Sequence, residues 1–176
     1  WGTIRAFGLS NESAWGVAQW AAAAERTGGP RPVSIQNEYS LLCRLFDTDL
    51  AEASVQEDVG LLAFSPLAVG LLTGKYQDGA IPEKSRMTLA PDLGGRKTAR
   101  VFPAVDAYAE IAKRHGLDLA QMALAWCLTR PFMTSVIFGA TTLAQLDHAL
   151  ASADLTLSPE VIADINAAHR AMPMPY

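Results

Sequence analysis

Short polar side chains follow apolar, strand-like runs at several points of this sequence, and their types suit a ligand carrying amide and phosphate groups. Ser10, Asn11 and Gln36 bring one hydroxyl and two carboxamides, which match the donor and acceptor pair of another carboxamide. From Ser65-Pro66-Leu67 to Gly74-Lys75 the chain forms a glycine-bearing loop. Gly70 and Gly74 let backbone approach a ligand closely, and Ser65, Thr73 and nearby N–H groups suit a pyrophosphate, with Lys75 adding charge. Gly139, Ala140, Thr141 and Gln145 mark a strand-to-helix turn, where free N–H groups and a partial positive charge favour phosphate. Plainer roles stand beside these: Asn11 as a helix cap, Ser10 as a strand end, Lys75 as solvated surface.

Proton-transfer chemistry has no comparable support. Tyr39, Tyr76 and Tyr108 have no Lys, His and Asp at suggestive spacing, and His115 and His169 fall near helix ends, where His is commonly solvated or a cap. No residue is assigned as catalytic. Cys43 and Cys127 are isolated, without metal-ligand spacing, and read as buried apolar fillers. No metal site is expected, and a reducing cytoplasm is the expected location.

Charge narrows the partners. With 14 basic against 18 acidic residues the net charge is -4, which gives no electrostatic footprint for nucleic acid or an anionic membrane. No apolar run approaches the ~18 residues of a membrane span. A length of 176 residues allows one domain with a sizeable core.

The elements that must hold these residues alternate between strand and helix. Strands are expected at residues 4–9, 33–36, 60–64 and 135–138, and helices at 12–26, 47–57, 98–115, 119–129, 142–151 and 158–172. Asn11 is placed as the cap of the first helix, whose apolar positions are Trp15, Ala18, Ala22 and Ala23; Met122, Leu124, Ala125 and Leu128 form the face of another. Ser158 and Pro159 open the last helix. The run 60–64 is apolar throughout, as a parallel strand buried on both faces should be. Residues 65–97, rich in Gly and Pro, form a long loop of the kind that usually carries function.

Short apolar strands separated by helices imply a parallel sheet with right-handed crossovers. Two features favour a (β/α)8 barrel over a doubly wound sheet. The polar residues follow the C-terminal ends of the strands, where barrel sites are built. No GxGxxG follows any strand. Four strands cannot close a barrel, and structured sequence begins within a few residues of Trp1, so the expectation is that an N-terminal half lies upstream.

Four ordered motifs carry a resemblance: Gly8-Leu9-Ser10-Asn11; Gln36-Asn37-Glu38-Tyr39-Ser40; Ala63-Phe64-Ser65-Pro66-Leu67 through Gly70-Leu71-Leu72-Thr73-Gly74-Lys75-Tyr76; and Ile137-Phe138-Gly139-Ala140-Thr141. Together they resemble the second half of the aldo-keto reductases, in particular the Tas-like and potassium-channel β-subunit branch. The resemblance covers essentially residues 1–176 as the C-terminal half of one TIM barrel domain, supplying the last four βα units and a C-terminal helix.

That resemblance implies NADP(H) as cofactor. Ser10, Asn11 and Gln36 would fix the nicotinamide amide, and Phe64 would stack on its ring, core packing being the alternative. Ser65, Pro66, Leu67, Gly70 and Lys75 would form a belt over the pyrophosphate, with Arg86 at the adenosine phosphates or simply on the surface. Gly139, Thr141 and Gln145 would grip the 2'-phosphate. His148 and Ala149 stand where relatives often carry Glu and Asn for the adenine edge, a departure from the family pattern.

The family's Tyr, Lys, Asp and His come from the first half of the barrel, so the chain alone should be inactive. The implied function is NADPH-dependent reduction of a small-molecule aldehyde or ketone to an alcohol; the alternative is a non-catalytic NADP(H)-sensing regulatory subunit of channel β-subunit type. The N-terminal half of the same barrel is the expected partner, and the oligomeric state is left open. Residues 77–100 and the tail 172–176 are expected to border the pocket, with Met174 and Tyr176 as apolar wall.

Overall fold

The computed structural model describes residues 3–176; Trp1 lies outside them. Its centre is a wholly parallel sheet of four strands side by side in chain order: β1 Gly8–Ser10, β2 Ser34–Glu38, β3 Gly60–Phe64 and β4 Met133–Val136. The helices are α1 Ala14–Thr27, α2 Asp49–Gln56, α3 Arg86–Leu89, α4 Val101–Arg114, α5 Leu119–Leu128, α6 Leu143–Leu150 and α7 Pro159–Ala171. This is the arrangement of half a (β/α)8 barrel.

The register puts Ser10, Gln36, Leu62 and Ser135 side by side across the sheet, and Leu9, Ile35 and Leu61 likewise. Adjacent side chains alternate faces, so the two rows point opposite ways. Ile35, Leu61 and Ala63 are buried and belong to the core with Leu41, Leu42, Val105, Met122 and Trp126. Ser10, Gln36 and Ser135 on the other face are exposed. The expectation that β3 is buried on both faces is therefore corrected: Leu62 and Phe64 are half-buried, because a four-stranded sheet leaves its inner face uncovered.

Several boundaries also move. The first strand begins at Gly8, not Ile4, since the ladder starts where Phe7 C=O accepts from Val33 N–H at 3.0 Å. β4 begins at Met133, opposite Leu61, two residues before the expected start, and its pairing runs out where Ile137 N–H reaches Ala63 C=O at 2.8 Å. Ser13, not Asn11, caps α1: its hydroxyl accepts from Gly16 N–H at 3.1 Å. The buried face of that helix is Val17, Ala21 and Ala24, with Trp15 turned outward. In α5 the residues from Met122 to Cys127 are buried on every side and Leu128 is exposed, because the helix lies under α4, α6 and the loop after β3. α7 starts as expected, with Ser158 accepting from Val161 N–H and Pro159 in its first turn.

Candidate functional site

Backbone bonds tie the C-terminal ends of the strands into one shelf. Asn11 N–H donates to Gln36 C=O at 3.0 Å, and Tyr39 N–H donates to Phe64 C=O at 3.2 Å. Ser10 pairs with Gln36 in register, and Glu38 with Phe64. The side chains of Ser10, Gln36 and Phe64 thus rise from adjacent strands on the uncovered face. Asn11 sits just beyond with φ +53, a left-handed conformation that Asn tolerates better than most residues. Released from capping, its amide donates to Ser10 Oγ at 3.1 Å and keeps its carbonyl oxygen available.

The loop after β3 has unusual backbone. Ser65, Ala68 and Val69 have φ of +52, +47 and +53, and Gly70 follows at +95. A β-branched residue such as Val69 is rarely found there, and each such residue costs about 1–3 kcal/mol. The turn is held by Ala68 N–H to Ser65 C=O at 2.8 Å, Gly70 N–H to Leu67 C=O at 2.9 Å and Leu72 N–H to Leu67 C=O at 3.2 Å. Pro66 and Ala68 are buried beneath it. Thr73 Oγ1 donates to Gly70 C=O at 2.8 Å, so its hydroxyl shapes the loop itself. Lys75 folds back with Nζ 5.1 Å from the Tyr76 ring centroid. Arg86 is exposed on α3, and no hydrogen bond or ion pair joins it to the other site residues among those described.

At the end of β4, Thr142 caps α6 by accepting from Gln145 N–H at 3.2 Å. Gln145 Oε1 accepts from both Thr141 N–H and Thr141 Oγ1, at 2.9 and 3.0 Å. Gln145 therefore fixes the turn, while Gly139 has open space around its Cα. His148 Nε2 lies 2.9 Å from Asp118 Oδ1, which ties it to the cap of α5. Ala149 is buried. His148 remains about half exposed beside that contact, whereas Ala149 faces the interior.

Two of the tyrosines weighed at the outset, Tyr39 and Tyr108, are held away from acid chemistry. Tyr39 donates to Asp47 Oδ1 at 2.5 Å, and burial together with that carboxylate holds its pKa well above the usual phenol range. Tyr108 donates to Leu41 C=O at 3.0 Å, and burial pushes it up to about 12. Tyr76 O accepts from Met87 N–H at 3.3 Å. Cys43 and Cys127 are free and buried. No group of three or more His, Cys, Asp or Glu side chains that could hold a metal occurs among the described residues. Nor is any described helix long and apolar enough to cross a membrane.

Sequence reading missed a polar cluster beside the shelf. Arg96 forks onto Glu38, with Nε 2.9 Å from Oε1 and Nη2 2.6 Å from Oε2, and Tyr176 O–H donates to Glu38 Oε1 at 3.2 Å. Tyr176 thus has a polar anchor at its hydroxyl, and Met174 Sδ accepts from Arg44 N–H at 3.4 Å. Glu38 stood inside a quoted motif, but nothing in the spacing pointed to partners 58 and 138 positions away.

Comparison with known proteins adds the context. The model of the aldo/keto reductase family matches residues 1–170. The chain is 47% identical over 174 residues to "Protein tas" of Escherichia coli (strain K12), covering 99% of the chain and 50% of that protein. It is 36% identical to a "Probable voltage-gated potassium channel subunit beta" of Arabidopsis thaliana, covering 84% of the chain and 49% of the relative. It is 39% identical to an "L-glyceraldehyde 3-phosphate reductase" of Escherichia coli O157:H7, covering 74% and 40%. The chain spans about half the length of the curated relatives it matches.

Proposed function

The chain belongs to the aldo/keto reductase family, and from that membership we propose that it carries the NADP(H)-binding half of a (β/α)8 barrel whose intact form reduces an aldehyde or ketone to the alcohol. The observation that carries this reading is the shelf itself. Ser10, Asn11 and Gln36 stand on neighbouring strand ends beside Phe64, and the Asn11 amide is not used as a helix cap.

The donor set fits the group. Ser10, Asn11 and Gln36 would hold the carboxamide and so choose which ring face meets the substrate. Phe64 would offer its π face to the ring. Ser65, Pro66, Leu67, Gly70 and Lys75 would close over the pyrophosphate, with Arg86 adding charge further along. Gly139, Thr141 and Gln145, at the start of α6, would favour the 2'-phosphate and hence NADP(H). When bound, reduced nicotinamide supplies the hydride. The chain's own residues orient that ring and exclude water; the proton for the alcohol oxygen has to come from the complementary half of the barrel, so the 176-residue chain turns over nothing by itself.

A second reading is a regulatory subunit that holds NADP(H) without reducing a carbonyl, favoured by the likeness to the channel subunit relative. Fluorescence titration of NADPH with the intact protein tests both. Binding is expected, weakened about tenfold by Gln36→Ala. Unchanged NADPH emission overturns the cofactor assignment; binding with no carbonyl reduction favours the regulatory reading.

A further inference from the structure

Glu38 lies two residues beyond Gln36 on β2 and pairs with Phe64, so its carboxylate leaves the sheet on the same face as the shelf. Both of its oxygens are occupied, one by Arg96 alone and one shared by Arg96 and the Tyr176 phenol. The Arg96 guanidinium also lies over the Tyr176 ring, 5.6 Å from its centroid. Arg96 belongs to the segment that follows the belt loop and α3, and Tyr176 to the tail. These two pieces are laced together as well: Thr98 Oγ1 donates to Pro175 C=O at 2.6 Å, and Arg100 Nη2 to Pro173 C=O at 2.9 Å. One carboxylate therefore joins the long segment and the tail into a single wall at the end of β2.

The chemistry of that wall is specific. Only about a fifth of the Arg96 and Glu38 side chains is exposed, at 20% and 19%, and the fork is bidentate, the geometry in which a carboxylate and a guanidinium bind most strongly. Glu38 is neutralised by Arg96, so the wall presents the Tyr176 ring rather than a net charge.

We infer that Glu38 is a positioning residue: by holding Arg96 and Tyr176 it sets an uncharged, partly aromatic wall against which an extended carbonyl substrate rests at the ring end of the site. The inference rests on the cofactor reading above, because the ring end is defined by Gln36 and Phe64. It selects neutral aromatic or long aliphatic aldehydes over short or anionic ones. A short aldehyde does not reach the wall and is indifferent to its order.

The test uses the intact protein with NADPH and two aldehydes, 4-nitrobenzaldehyde and propanal. Glu38→Gln is expected to raise KM for 4-nitrobenzaldehyde about tenfold, while kcat, the NADPH Kd and KM for propanal each move less than about twofold. The exchanged pair Glu38→Arg with Arg96→Glu is expected to recover most of the lost KM, which a purely structural defect would not. An equal rise for both aldehydes, or a parallel loss of NADPH affinity, overturns the inference. So does a protein that binds NADPH yet reduces neither aldehyde. If the wild type leaves NADPH emission unchanged, the cofactor reading falls and this inference with it; if the wild type binds NADPH and Glu38→Gln leaves both KM values alone, only this inference falls.

Discussion

Lys75 lies across Gly70: a methyl group built on that glycine would come within 3.0 Å of both Cε and Nζ of the lysine. Gly70 also has φ +95, so its backbone favours glycine, and a methyl group there would push the flexible end of Lys75 aside. Gly79, at φ +76, has the backbone requirement but open space around it. Gly70→Ala and Gly79→Ala should each cost about 1–2 kcal/mol of stability in urea melts. Only Gly70→Ala displaces Lys75, and it alone should weaken NADPH about tenfold in the fluorescence titration. Equal affinities for the two variants would remove Lys75 from the cofactor site.

Behind the sheet, Tyr39 stacks on Trp126 with ring centroids 5.3 Å apart, and its phenol is bonded to an Asp47 that Arg44 Nε also holds at 2.7 Å. Arg44 and Arg130 lie over the same indole at 4.7 and 5.2 Å. Tyr39→Phe keeps the stack and removes one charge-assisted donor from a partly buried carboxylate, a loss of about 1–3 kcal/mol. Urea unfolding checks this figure. The NADPH Kd should stay the same, because the network lies on the helix side of the sheet.

Alkaline pH should act on three of the phenols. Burial is the first cause holding Tyr39, Tyr108 and Tyr176 above their ordinary value of 10.0, and Tyr108 reaches about 12. The folded state keeps these protons while the unfolded chain releases them near pH 10, so the stability they contribute is whole below pH 10 and is lost as pH rises through the folded values. Urea midpoints should therefore fall between about pH 10 and 12. Phenolate absorbance at 295 nm should rise later in the folded protein than in the chain held in urea. Coincident titration curves would contradict the burial of these hydroxyls.

What the sequence revealed and what it hid have physical causes. β3 was legible to the residue because an apolar run between Gly60 and Ser65 leaves no other reading. Ser158 and Pro159 announced α7 because capping is local chemistry. Asn11 was misplaced because Asn both caps helices and tolerates a left-handed φ, and only the position of Ser13 decides between them. Residues 4–7 look like a strand by composition, yet among the described residues the ladder begins only at Gly8, and Ile4 is 70% exposed. The Glu38, Arg96 and Tyr176 cluster has no local signature, since its members meet only after the tail folds back over β2.

The sheet has two open edges, at β1 and β4. α1 packs on α2 and α6 on α5, so α1 and α6 end the helical layer beside the unpaired outer edges of β1 and β4. Leu143, Leu146 and Leu150 recur at helical spacing along α6 and are exposed, Leu143 by 77%; Trp15 and Trp20 are exposed on α1. Burying one such side chain is worth roughly 2 kcal/mol, and whole domains are stable by only about 5–15 kcal/mol, so leaving both ends uncovered removes a large share of the total. Unpaired strand edges add a route to association. The isolated 176-residue chain should therefore bind a hydrophobic dye, elute from size exclusion as a mixture or aggregate, and unfold in urea over a broad range. Supplying the complementary half of the barrel should sharpen the transition and suppress the dye signal. A monomer that melts cooperatively by itself would mean that the exposed leucines and tryptophans need no cover, and that the open sheet is a finished fold.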